Sequence, residues 1–216
     1  MFGALPEYCQ LFGCTTTVVT DIPDTLKAGQ VLVVTNFDQE LDPATHQRLR
    51  DFVAGGGGLW VMGDHTFIKN GRNHINDLLD PWRISLNNDS AQFFPQGWFH
   101  SYRFTQGTPF ANLRDDAENR PGLLVGASLQ LSPPAEPLVT GRFGYSDWGL
   151  DEPAPEGNRG HLGDFKYQPS ERLGDLVLVA GQHHGKGRVL VFGDTSSFFN
   201  NTLSRSFELL RASLSW

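Results

Sequence analysis

The chain has 216 residues, is 39% hydrophobic and 19% charged, and carries a formal net charge of −7. That composition is globular rather than disordered. The acidic balance, with no Lys/Arg cluster, excludes a nucleic-acid phosphate partner, and no apolar run reaches the ~18 residues of a membrane-spanning helix.

Leu5 to Phe12 reads as a short helix, and "TTTVVT" (15–20), all β-branched, as a strand. "VLVVTNFD" (31–38) is a continuous apolar run of the kind expected of a strand buried on both faces. "LDPATHQRLRDFVAGGGG" (41–58) is a helix with Asp42 as its cap, Pro43 at the first helical position and Leu49, Phe52 and Val53 on one face. The glycines from Gly55 stop it, and "LWVMGDH" (59–65) is the next strand. Strand, helix and strand form a βαβ crossover, which predicts parallel pairing and a mainly parallel central sheet. A further helix is expected near 73–82, with Asn73 as its cap, and a strand within "GLLVGASLQL" (122–131). Residues 141–174, rich in Gly, Pro and Asp, read as a long loop insertion in a single domain spanning 1–216. "DLVLVAGQHHGKGRVLVFGD" (175–194) is two strands around a Gly-Lys-Gly turn, an antiparallel hairpin, and a helix closes the chain.

Two strands end alike: "WVMGDH" at 60–65 and "LVFGDTSS" at 190–197. In an open parallel sheet, ligands bind at the carboxyl ends of the strands. Asn36 and Asp38, Asp64 and His65, and Asp194 and Ser196 would all project from that edge. Asp147, Asp151, His161 and Asp164 on the 141–174 segment would reach over it. The competing structural reading is that Asp194 and Asp64 only cap the helices that follow. His183 and His184 sit at the hairpin turn, away from Asp194, and read as solvated. Cys9 and Cys14 are too few for a disulfide scaffold and lack the second pair a zinc site needs. They read as ordinary thiols. No nucleophile elbow, Walker A loop, dinucleotide fingerprint or His-Glu-x-x-His sequence is present.

The phrases "LDPATHQRLRDFVAGGGGLWVMGDHT" and "GKGRVLVFGDTSSFFNN", with the closing helix, resemble the class I glutamine amidotransferase-like superfamily. The resemblance is to its non-catalytic branch, which includes gliding-motility and intraflagellar-transport type domains and uncharacterised bacterial domains. It covers about 28–80 and 175–216 and implies a flavodoxin-like three-layer sandwich. The family's catalytic cysteine does not carry over, because Cys9 and Cys14 precede the first clear strand, so ammonia release from glutamine is not expected.

The expected role is a non-catalytic domain of a larger bacterial protein, either binding a small polar ligand such as a carbohydrate or glycan, or docking a partner protein of an envelope assembly. Aromatic faces and carboxylates suit sugar rings. The alternative is a metal-assisted hydrolase in which Asp64, His65 and Asp194 hold a divalent ion and activate water. No other cofactor is expected. A complete chain as written would be cytoplasmic, and a piece of a longer membrane-anchored protein extracytoplasmic.

Overall fold

The structure, a computed structural model, describes residues 1–35, 37, 39–65, 74–87, 89–93, 100–116, 121–148 and 163–216. Its helices are α1 (Leu5–Gln10), α2 (Pro43–Ala54), α3 (Ile75–Leu79) and α4 (Phe207–Ser215). Its strands are β1 (Val31–Thr35), β2 (Gly58–Met62), β3 (Ile84–Leu86), β4 (Asp89–Phe93), β5 (Tyr102–Phe104), β6 (Leu129–Leu131), β7 (Glu136–Trp148), β8 (Leu173–His184) and β9 (Gly187–Phe192). They form one mixed sheet along the path β1-β2-β9-β8-β6-β3, from which β7 branches to pair with β4, β5 and β8.

The βαβ unit is present. Asp42 caps α2 by accepting the N–H of Thr45 at 2.9 Å, and α2 leads into β2, which runs parallel to β1. β9 is also parallel to β2, with Trp60 opposite Leu190. Alternate residues of these strands face opposite ways, as the strand period of two requires. Leu59, Val61, Val189 and Val191 pack with Leu49, Phe52 and Val53 of α2 and with α3. Trp60, Met62, Leu190 and Phe192 pack with Leu209 and Leu210 of α4 and with Cys9 of α1. Helices thus cover both faces of this parallel part.

The rest of the sheet is antiparallel. β3–β6, β4–β7, β5–β7, β6–β8, β7–β8 and β8–β9 all pair that way. The expectation of a mainly parallel sheet is therefore corrected. Among the described residues the one βαβ crossover is β1-α2-β2, and the 13-residue β7 takes partners along both of its sides, bending through register shifts between Pro137 and Val139 and between Gly141 and Gly144. The observed class is mixed α/β, coarser than a flavodoxin-like sandwich.

Three local expectations are also revised. Residues 141–148 are strand rather than loop, and β8 begins at Leu173. Residues 15–20 form no strand, and Val18 is 84% exposed. β-Branched residues favour a strand only when a neighbour supplies pairing and burial, and among the described residues no strand pairs with this segment. Within 122–131 only Leu129–Leu131 is strand. The expected helix near 73–82 is α3 followed by a 3-10 turn over Asp80–Trp82, while the proposed cap Asn73 lies outside the described residues. The C-terminal hairpin is observed, with His183 opposite Arg188 and His184 opposite Gly187 at its turn. No helix among the described residues is long and apolar enough to cross a membrane.

Candidate functional site

The repeated Gly-Asp ending has a geometric cause. β2 and β9 are parallel neighbours in register, Met62 opposite Phe192, so Gly63-Asp64 emerges beside Gly193-Asp194. The Gly63 N–H donates to the Phe192 carbonyl at 2.8 Å. Gly193 accepts from the Ala127 N–H at 2.8 Å and donates to the Leu178 carbonyl at 3.1 Å. A Cβ on Gly193 would run into the Ala127 carbonyl oxygen, so only glycine lets that segment pass.

The side chains converge beyond these glycines. The Thr195 hydroxyl donates to Asp64 Oδ2 at 3.2 Å. His65 Nε2 lies 3.6 Å from Asp64 Oδ1, and His65 Nδ1 lies 2.7 Å from the Ser90 hydroxyl on β4. Asp194 is buried and accepts from the Ser196 N–H (3.0 Å), the Ser196 hydroxyl (2.6 Å) and the Ser197 hydroxyl (3.3 Å). The bond from Ser196 N–H two residues on is a turn-capping bond, so part of the capping reading of Asp194 is real. Burial pushes the Asp194 carboxyl above its ordinary value; Ser196 opposes this, while nearby Asp64 adds to the rise and His65 resists it. Asp64, His65, Asp194 and Ser196 thus share one edge at the ends of β2 and β9.

The other expected residues fall differently. Asp147 is buried on β7 directly opposite Ser90, but its two oxygens accept the N–H groups of Asp164 (3.0 Å) and Phe165 (2.8 Å). It is a tether for the chain entering at 163, and a Cβ on Gly163 would strike its carboxylate. Asp164 caps its own turn, accepting from the Gln168 amide and the Lys166 N–H, which hold its carboxyl below the ordinary value. Asn36, Asp38, Asp151 and His161 lie outside the described residues. Cys9 is buried among the apolar residues under α4, and burial pushes its thiol up, away from the thiolate form.

Sequence reasoning missed Asp89. It is fully buried at the start of β4, where it accepts the Ser128 N–H (2.7 Å), the Ser128 hydroxyl (2.6 Å) and the Ser146 hydroxyl (2.5 Å). Burial raises its carboxyl too, against these three bonds. Nothing in "NNDSAQ" distinguishes it from a turn aspartate.

Two cavities, of about 360 and 430 Å³, lie beside α3 and β3 and along β1; neither is lined by Asp64, His65 or Asp194. Among the described residues no group of three His, Cys, Asp or Glu side chains is arranged to hold a metal ion.

The state of Asp194 sets a pH dependence. Its folded value lies above its unfolded one, so its contribution to stability is full below the ordinary 3.8 and is lost as pH rises through the raised folded value. In urea unfolding from about pH 4 to pH 7, wild type should therefore lose stability relative to Asp194→Asn as pH rises. A constant difference between the two would refute this.

Neither family models nor curated proteins give a match to the chain. Among solved structures it is similar to one described as the mmIFT52 N-terminal domain, with a TM-score of 0.52 and 15% identity over 86% of this chain and 77% of that one. It is also similar to the cytoplasmic protein STM1381 from Salmonella typhimurium LT2, at a TM-score of 0.47 and 13% identity over 86% and 72%. At 15% identity the first likeness concerns the fold alone, a mixed α/β domain shared with the mmIFT52 N-terminal domain.

Proposed function

We propose that this chain is a non-catalytic ligand-binding domain of a larger assembly, with its site at the Asp64–His65–Asp194–Ser196 edge and a small polyhydroxy molecule or glycan as ligand. The observation that carries the reading is the in-register ending of β2 and β9, which gathers carboxylate acceptors and an imidazole where α/β sheets take their ligands. Carboxylates and imidazole suit hydroxyl donors. The resemblance to non-catalytic amidotransferase-like domains is in keeping with it.

The catalytic alternatives have less support. The Ser90–His65 contact has the look of a nucleophile and base, yet Ser90 is fully buried near the start of β4, out of reach of a substrate. The Ser196 hydroxyl is spent on Asp194. The metal-assisted reading on Asp64, His65 and Asp194 lacks a ligand set among the described residues.

The test is saturation-transfer NMR against glucose, galactose and N-acetylglucosamine and their short oligomers at about 10 mM, where even weak sites register. At least one series should bind wild type, and Asp64→Ala should abolish that binding with little change in thermal midpoint. Absence of binding across the panel, or binding untouched by Asp64→Ala, would overturn the proposal.

A further inference from the structure

β1 ends the sheet path, and among the described residues no strand pairs with its outer side. The Gly58 N–H donates to the Gln30 carbonyl at 2.9 Å, which sets the ladder phase: Leu32 and Val34 turn their peptide groups toward β2. Val31, Val33 and Thr35 then present theirs outward. Edges of this kind are normally blunted by lysine, proline, a bulge or a covering segment. This edge reads Val-Leu-Val-Val-Thr and stays in register with β2 through every residue; Val31 is 52% and Val33 40% exposed.

A second strand-former lies close by without a partner strand. Thr15–Thr20 is six β-branched residues in a row, exposed throughout. The cavity of about 430 Å³ is lined by Val19–Ile22 and Leu32–Thr35, with Phe37, the residues leading into α2, and Thr45 and Arg48 of α2. Val19 and Thr20, the end of that run, thus share the slot with the edge of β1. Among the described residues lining it, Asp21, Glu40 and Asp42 outnumber the cation Arg48, so the slot is acidic.

We propose that this slot takes an extended segment of another protein, a β-branched, uncharged stretch of about five residues flanked by basic ones, added as a strand beside β1. The outward peptide groups of Val31, Val33 and Thr35 bind its backbone. The valine side chains select its apolar middle, and the acidic residues of the slot select its basic ends. The surface is separate from the Asp64–Asp194 edge, and the proposal stands independently of what binds there.

The probe is the synthetic peptide Lys-Val-Thr-Val-Val-Thr-Lys, read by amide hydrogen exchange. At about 1 mM it should slow exchange at Val31, Val33 and Thr35 at least roughly tenfold, while the same peptide with aspartate for lysine does not. Val33→Pro removes an outward N–H without touching a bond to β2, and should abolish the effect with the fold intact by circular dichroism. If that variant fails to fold, Asp21→Lys with Glu40→Lys, both exposed, should weaken the effect by about tenfold. No slowing by the basic peptide, or slowing undiminished in the folded variants, would overturn the proposal. So would a dimer by light scattering in which the Val33 amide is already protected without peptide, since a second copy would then occupy the slot.

Discussion

Gly193→Ala is expected to destabilise the protein by about 3 kcal/mol in chemical denaturation, at the upper end of what overpacking costs. The added Cβ would overlap the carbonyl oxygen of Ala127, a backbone atom in the segment whose N–H bonds back to Gly193. Neither side of that contact can turn away by a rotamer change. Gly63→Ala is the matched control. Its Cβ meets the end of the Leu86 side chain, which can move, so about 1 kcal/mol is expected there. Equal costs at the two positions would contradict the packing described around Gly193.

Asp89→Ala is expected to cost about 3 kcal/mol, because it leaves the Ser128 N–H and the hydroxyls of Ser128 and Ser146 buried without their acceptor. Asp89→Asn keeps one acceptor oxygen and sheds the buried charge, so its loss should be about half as large. Urea unfolding at neutral pH checks both. An alanine variant as stable as wild type would mean that Asp89 does not hold the start of β4 to β7 and to the segment entering β6. These bonds sit where β4, β7 and the segment entering β6 meet, so the loss should fall on the antiparallel side of the sheet and leave α2 and the β1–β2 pairing intact.

The legible parts of the fold were those written in local signals. Asp42 and Pro43 start α2, the glycines after Ala54 stop it, and β1 and β2 flank it as apolar runs. The doubled Gly-Asp ending was legible for the same reason, and in-register pairing of β2 with β9 explains why it is doubled. The antiparallel half was not legible. β3, β5 and β6 are three residues each, too short for a period to show. β7 buries Asp147 and Ser146 and bends at shifted pairs, so its polar and glycine residues mimic a loop. Thr15–Thr20 erred the other way, with strong propensity and no pairing strand among the described residues. Asp89 gave no signal, because its importance comes from Ser128 and Ser146, distant in sequence and brought to it only by pairing.

The place of β9 in the sheet also dictates when the molecule can finish forming. β2 is flanked by β1, made just before it, and by β9, whose Arg188 pairs with Gly58. On a ribosome adding about 5–20 residues per second, roughly ten seconds separate the emergence of those two residues. Through that interval Trp60 and Met62 have neither β9 beside them nor α4 above them. Sheet closure across such a separation is slow once begun. The nascent chain therefore displays a half-built ribbon with an unpaired edge on β2 until β9 and α4 have emerged, and over that interval β2 is where misassembly would begin.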